Sequence, residues 1–442
     1  MRLLVFLLLF ITYPAGLSAQ EGFQWHSPKD KIDIPFVFVD NLIIIPVEIN
    51  NAKMNMLLDS GSEPSLIFSF PQSDTLQLYN TKKVRISGLG SEEMAEGLLS
   101  QKNKLNVSNY IDTNFEILVI LDEKLNFSSR IGIPVNGILG YSFFRNHLVE
   151  INYIKKKITL YKNSDLLKSR RIRKYTPIPL DIVNGRPYVN VNAKLDGKEL
   201  PLKLLMDTGL TDGLWLFEDD VIKCNDKYFE DVLGEGIGGT IYGKKSRLSE
   251  ISTAHFRFKE PLVSYPDTTS YKQLRIVKNR NGSLGGEILK RFHLVVDYSG
   301  KQIFVKKNKM FDDPFLYNMS GIEVQHNGVQ WIQESVKNNV SKSLPIGTTN
   351  IDDIVFDNSS FKYKFILKPV FEIASVRKGS PAEEAGLKAG DKIIRIDRKN
   401  AYNLTKQRIN ELLQVEDNKT IRIEVERDGK NLEYQVTIRK LF

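Results

Sequence analysis

Two stretches of this sequence end an apolar run in an ionisable residue. Residues 54–68 read MNMLLDSGSEPSLIF and residues 200–217 read LPLKLLMDTGLTDGLWLF. Each places an aspartate, a hydroxyl residue and a glycine together: Asp59-Ser60-Gly61 and Asp207-Thr208-Gly209. Burying a lone carboxylate is costly unless its charge is shared, hydrogen-bonded or removed by protonation. Two carboxylates brought together relieve one another, because like charges at short range cannot both ionise and the pair keeps one proton. Such a pair has acid–base chemistry to offer. The ionised member takes a proton from a water, the protonated member donates to the carbonyl under attack, and the roles reverse as the leaving group departs. The pKa values then belong to the pair and not to Asp59 or Asp207 separately. This chemistry requires no metal, cofactor or covalent intermediate.

A D-[ST]-G tripeptide alone is weak, since any long chain can contain one by chance. Here the context repeats. Asp59 is followed by the glycine-bearing VRISGLGSEEMAEG and by NGILGYSFFRNHLVEINYIKKKITLYK from Asn136. Asp207 is followed by VLGEGIGGTIYG and by NGSLGGEILKRFHLVVDYSGKQIFVKK from Asn281. Asp59 precedes Gly140 by 81 residues and Asp207 precedes Gly285 by 78, while Gly140 to Tyr153 and Gly285 to Tyr298 are both 13. Two copies of one element order are a duplication, not a solenoid.

On these residues the chain resembles the retropepsin-like aspartic peptidases, with both lobes fused in one polypeptide over roughly residues 30 to 310. In that family each lobe supplies one D-[ST]-G loop, one flap hairpin and one hydrophobic-hydrophobic-Gly segment. The last is matched by Ile138-Leu139-Gly140 and, in part, by Ser283-Leu284-Gly285, where Ser283 is polar. The resemblance implies that Asp59 and Asp207 are catalytic, acting on a peptide or protein substrate. It also implies that Ser60 and Thr208 hydrogen-bond across the lobe interface. Gly61 and Gly209 would permit close backbone approach and a tight turn. Ser62 and Leu210 occupy equivalent places but differ, so the two carboxylates need not have equal surroundings. Gly88, Gly90, Gly236, Gly238 and Gly239 are the flap candidates.

Past Lys307 the pattern changes. ASVRKGSPAEEAGLKAGDKIIRIDRKNA, from Ala374, resembles a bacterial PDZ domain. Pro381 suits the first position of a short helix, Gly386 and Gly390 permit turns, and IIRI is the strand that follows. TKQRINELLQV places Ile409, Leu412 and Leu413 on one helical face, and TIRIEVERDGKNLEYQVTIRK alternates as a hairpin through Asp428-Gly429. PDZ domains add a peptide as an extra strand and hold its terminal carboxylate with backbone amides, which implies a C-terminal peptide ligand. The carboxylate loop would be Ser320, Gly321 and Ile322, with Ser320 standing where an apolar residue is usual. His326 to Pro369 reads as a long insertion before the second clear strand.

Composition sets the remaining bounds. The 442 residues fit two or three domains. MRLLVFLLLFITYPAGLSAQ joins Arg2 to an apolar run and small residues, the pattern of a secretory signal peptide cleaved after Ala19. Secretion across an inner membrane, to the periplasm or beyond, is therefore expected, with no later membrane span. Cys224 is the only cysteine, so no internal disulfide framework exists, and CNDKYF gives it the look of an inert, partly buried thiol. The net charge of +9 is spread out apart from Lys168–Lys174, read as a solvated connection between the repeats, and no nucleic-acid motif accompanies it. None of the five histidines sits in a triad context, and no GNSGG-like segment supplies a serine nucleophile.

The expected fold class is mainly β: two pseudo-two-fold-related acid-protease lobes followed by an α+β PDZ domain. Its divisions are a signal peptide at 1–19, lobe 1 at 30–165, lobe 2 at 175–310 and the PDZ domain at 316–442. VFVDNLIIIPVEINN and YVNVNAKLDGKELPLKLLMD read as strands, the second a hairpin through Asp196-Gly197. LVEINYIKKKITLYK and LVVDYSGKQIFVKK read as hairpins, with Ser299-Gly300 turning the second, and GILGYSFFRN and GGEILKRF as short helices. Three functions stand open at this point. They are an active aspartic endopeptidase with a docking PDZ domain, a catalytically silent peptide binder of the same fold, and a PDZ scaffold. The presence of both aspartates favours the first.

Overall fold

The computed structural model describes residues 22–70, 75–86, 88–90, 95–120, 127–195, 197–272, 277–337, 361–414 and 417–441. The expected signal peptide lies outside the described residues. The chain is mainly β, with a PDZ domain at its C-terminal end.

Each repeat builds its own sheet. In the first, Leu42–Ile49 and Ala52–Leu58 form a hairpin that turns at Asn50 and Asn51, whose φ values of +47° and +72° are left-handed and suit asparagine. In the second, Arg186–Leu195 and Lys198–Met206 turn at Gly197; its neighbour Asp196 lies outside the described residues. The inward side chains of these strands are almost all buried. Gly137–Leu139 then runs parallel to Ala52–Leu58, placing Leu139 beside Leu58. Gly282–Leu284 likewise runs parallel to Lys198–Met206, placing Leu284 beside Met206. The expected short helices follow, as a 3₁₀ turn at Tyr141–Phe143 and a helix at Gly286–Leu289.

A third sheet of six strands joins the repeats. Its two central strands are Leu148–Asn152 and Phe292–Asp297, one from each lobe, paired antiparallel with Glu150 opposite Val295 and Ile151 opposite Leu294. Glu150 and Val295 are separated by 145 residues, as are Gly140 and Gly285. A residue paired with its own repeat equivalent marks a local two-fold axis through the middle of the sheet. Lys31–Pro35 and Thr176–Pro179 close its two edges.

Three expectations need correction. Lobe 1 begins before residue 30: Gln24–Trp25 pairs with the strand Tyr110–Ile120, and Phe23 is fully buried, stacked on Tyr110 with ring centroids 4.3 Å apart. The basic connection is not merely solvated. Arg171 binds Glu150, and Leu166 and Ile172 are buried with Leu148, Tyr161 and Val295, so a few apolar residues anchor the crossing between lobes. The stretch after His326 first continues a strand instead of leaving the sheet. Ile322–Lys337 and Phe361–Val376 pair along their length to Lys337–Phe361; residues 338–360 lie outside the described part.

The cores change hands after Phe315, which belongs to the core of the two lobes; Tyr317 and Met319 belong to that of the PDZ domain. The PDZ sheet continues through Lys392–Ile396, Thr420–Arg427 and Lys430–Thr437. Helix Pro381–Ala385 is capped by Ser380 Oγ accepting from Glu383 N at 3.3 Å, and it ends on Gly386 at φ +94°. Helix Lys406–Leu413 buries Ile409 and Leu413. Among the described residues no helix is long and apolar enough to cross a membrane.

Because the central sheet belongs to both lobes, they should not melt separately. Ile151→Ala, at a fully buried position beside Leu294, is expected to cost about 2–5 kcal/mol. Calorimetry should show one shifted transition for the two lobes; an unshifted lobe melting alone would contradict the shared sheet.

Candidate active site

The loops that carry the aspartates are fixed first by backbone. Asp59 N donates to Leu139 O at 3.0 Å, and Asp207 N donates to Leu284 O at 2.9 Å, so the parallel strand of each lobe sets where its aspartate emerges. The loops are then tied to one another. Ser60 N donates to Thr208 Oγ1 at 2.9 Å, and Thr208 Oγ1 donates to Leu58 O at 2.8 Å. In the other direction Thr208 N donates to Ser60 Oγ at 3.1 Å, and Ser60 Oγ donates to Met206 O at 2.7 Å. Ser60 and Thr208 are both buried.

This lock places the two carboxyl groups in hydrogen-bonding contact. The glycines are required by that contact, not by a left-handed turn, since neither Gly61 nor Gly209 has positive φ. A Cβ on Gly61 would stand 2.9 Å from Asp207 Cγ, and one on Gly209 would stand 2.6 Å from Asp59 Oδ2. Asp59 Oδ1 accepts from Gly61 N at 2.7 Å and Ser62 N at 3.2 Å, whereas Asp207 Oδ1 accepts from Gly209 N alone, at 3.0 Å. The difference between Ser62 and Leu210 thus appears in the backbone: Leu210 N turns to the Asp207 main-chain carbonyl.

Burial raises both carboxyls above the ordinary aspartate range. The Asp207 charge pushes Asp59 further up, whereas Arg280 and Arg186 oppose the rise at Asp207. The two arginines thus favour the charge of the pair on Asp207 and its shared proton on Asp59. Sequence reasoning missed both arginines. Arg186 stands across from Asp207 if the pairing of Tyr188 with Leu205 is continued by two residues, a position that the hairpin register alone could have given. Arg280 donates to Gly282 O at 3.1 Å and to Ser283 Oγ at 2.8 Å, which explains the polar residue in the second hydrophobic-hydrophobic-Gly segment. Tyr298 was also missed as a neighbour of the pair. It is buried within electrostatic reach of both aspartates, and burial together with their charges holds its hydroxyl protonated.

Two flap hairpins, one from each lobe, meet, and their tips cross. The second is Phe229–Gly236 with Gly239–Arg247; the first is Lys82–Ile86 with Ala95–Val107, its tip described only at residues 88–90. Gly90 bridges Gly238, and Gly238 N donates to Leu89 O at 2.8 Å. Leu89 packs with lobe-2 residues Leu210, Trp215, Leu233 and Ile241, while Ile237 packs with lobe-1 residues that include Val39 and Leu42. The flap glycines gather at this crossing. A Cβ on Gly88 would stand 2.6 Å from that of Ile237, and side chains on Gly90 or Gly236 would meet the backbone of the opposite tip. Gly239 takes φ +108° at the hairpin turn.

Residues 45–143 match the family model described as aspartyl protease, and residues 372–427 match that of a PDZ domain. The chain carries an aspartyl protease domain and a PDZ domain. No curated protein matches the chain. The aspartyl protease match spans the first D-[ST]-G loop and its flap; the second enters through the pairing just described.

The remaining sequence candidates lie elsewhere. Ser320, Gly321 and Ile322 form a buried turn in the PDZ domain whose amides already have acceptors. Asn318 Oδ1 accepts from Ser320 N at 3.0 Å and Gly321 N at 3.3 Å, and Ser320 Oγ accepts from Ile322 N at 3.2 Å. Gly321 (φ +83°) also backs onto Ser380. The expected carboxylate capture has no free donor there. Cys224 is partly buried against the lobe core. Among the described residues no group of three or more His, Cys, Asp or Glu side chains could hold a metal ion.

Two measurements probe this geometry. Thr208→Val keeps the shape but orphans Ser60 N and Leu58 O, which should cost about 1–3 kcal/mol for each group in urea unfolding. The raised Asp59 carboxyl gives a pH signature. A group whose pKa is higher folded than unfolded contributes stability below its unfolded value and loses it as pH rises through the folded value. Relative to Asp59→Asn, the wild-type protein should therefore lose thermal stability as pH rises from about 4 toward neutrality. A constant difference in Tm would contradict the shared proton.

Proposed function

We propose that this protein is an aspartic endopeptidase that cleaves peptide bonds with a water held between Asp59 and Asp207. The observation that carries the reading is the direct contact of two half-buried carboxyls, one on each of two loops locked through the buried Ser60 and Thr208. In the ground state Asp59 holds the proton and Asp207, beside Arg280 and Arg186, is ionised. Asp207 takes a proton from the water, which attacks the peptide carbonyl. Asp59 donates to the carbonyl oxygen, and the protons return in the opposite sense as the amine leaves. Opening of the crossed flaps would admit the polypeptide substrate. The proposal includes export: the apolar run after Arg2 and the single cysteine suit a protein that passes an inner membrane and works in the periplasm or outside the cell.

Asp59→Asn and Asp207→Asn should each lower cleavage of a diverse peptide library by about a hundred- to ten-thousandfold while leaving the fold intact. The double variant should lose little more than either single one, because the carboxyls act as one unit. Cleavage that survives both substitutions places the chemistry elsewhere. A wild-type protein that binds peptides but cleaves none from acidic to neutral pH is the silent peptide binder instead.

A further inference from the structure

The first strand of the PDZ sheet, Ile322–Lys337, pairs on one side with Phe361–Val376 and, among the described residues, has no strand on the other. A free edge of this kind, flanked by helix Lys406–Leu413, is where a PDZ domain adds an extended peptide. Here the place is taken by the lobe-1 helix Phe127–Ile131 and the following Gly132. Ser129 Oγ donates to the main-chain carbonyl of His326 on that edge. Arg130 pairs with Glu323 at 3.2 Å, and Lys406 Nζ, at the start of the flanking helix, donates to the Arg130 carbonyl. Gly132 (φ +84°) lies against the Lys406 side chain, which also pairs with Asp40 of lobe 1 at 3.2 Å.

The same arginine reaches the active-site cover. Arg130 pairs with Glu235 on the second flap at 2.8 Å, so one guanidinium joins the PDZ edge, lobe 1 and the flap. A second tie holds the base of that flap. Arg377, almost fully buried at the end of the neighbouring PDZ strand, pairs with Asp231 at 3.3 Å and lies 4.2 Å over the Phe229 ring.

We propose that residues 127–132 are the resident occupant of the PDZ peptide edge, and that an extended peptide bearing a basic side chain displaces them and loosens the second flap. The incoming strand would take the edge groups of Ile322–His326, and its basic residue would replace Arg130 at Glu323. An acidic residue there would face Glu323 unpaired, so the edge selects for positive charge. The amides of Ser320, Gly321 and Ile322 are engaged within their own turn, so the peptide's terminal carboxylate adds nothing and an internal segment serves as well. The displacement stands on the PDZ contacts alone; its effect on turnover rests on the peptidase reading.

The test uses the full chain carrying Asp59→Asn, so that no probe is cleaved. The probe is an acetylated and amidated copy of residues 127–132, FSSRIG, with an Arg-to-Glu version as the counter-probe. Binding is followed by fluorescence anisotropy, and displacement by hydrogen exchange in residues 127–132 and 229–247. Removing the resident contact by Arg130→Ala should tighten probe binding about tenfold and speed exchange in the flap, and the Arg-to-Glu probe should bind at least tenfold more weakly. Ser129→Ala and Glu323→Gln serve as milder alternatives if Arg130→Ala unfolds; the first should also tighten binding, and the second should remove the preference for the basic probe. Equal affinity in the parent and resident-contact variants, or probe binding without faster exchange in residues 127–132, overturns the proposal. If exchange responds as expected but the probe leaves turnover by the wild-type protein unchanged, the displacement stands and only its link to catalysis fails.

Discussion

Thr208 Oγ1 accepts from Ser60 N and donates to Leu58 O, and Ser60 Oγ does the mirror-image work for Thr208 N and Met206 O. Four buried hydrogen bonds thus fix one aspartate loop against the other, and the contact between the carboxyls follows from that separation. A slip between the loops would part the two carboxyls and leave each with only the amides of its own loop. The rest of the two lobes serves this spacing. The parallel strands hold each loop from behind, and the common six-stranded sheet stops the lobes from rotating apart.

The symmetry is close in the backbone of the locked loops and the shared sheet, and broken most by the side chains around them. On the register that sets Ile44 against Leu57, the residue across from Asp59 is the buried Leu42. Across from Asp207 it is Arg186, with Arg280 nearby. Arg280 and Arg186 therefore bring a positive field to the Asp207 side of the pair, which favours the charge there. A dimer of identical chains could not make this distinction before substrate binds. Duplication within one polypeptide allows it, because each half varies alone.

Much of this was legible in the sequence because it depends on spacing. The two tripeptides, the glycines at 140 and 285 and the tyrosines 13 residues beyond them are contiguous patterns, and local geometry keeps them in register. The PDZ helices and hairpin were readable for the same reason: Ser380-Pro381, Gly386 and Asp428-Gly429 act on their immediate neighbours. What escaped depends on distant partners. Nothing adjacent to Arg280 announces that Ser283 will accept from it, and nothing near Arg171 announces Glu150. The turn at Ser320–Ile322 was read from its type; only the position of Asn318 shows that its amides are engaged. Phe23 precedes the first regular strand pattern, and its burial follows from the stack with Tyr110, 87 positions later.

The PDZ domain adds a further asymmetry of the same origin. Its arginine and the lobe-1 arginine meet Asp231 and Glu235, both on the second flap. At the tips, Leu89 of the first flap lies in the lobe-2 cluster and Ile237 of the second lies in the lobe-1 cluster. Crossed tips cannot separate unless both apolar side chains leave their pockets, so holding one flap holds both. A partly exposed pair such as Arg130–Glu235 is worth only about 1 kcal/mol or less, whereas the buried Arg377 depends more strongly on Asp231. Both pairs matter here because they act on an element whose closed form already depends on a few apolar contacts. A change in charge at Glu323 or Asp231 therefore bears on both flaps at once.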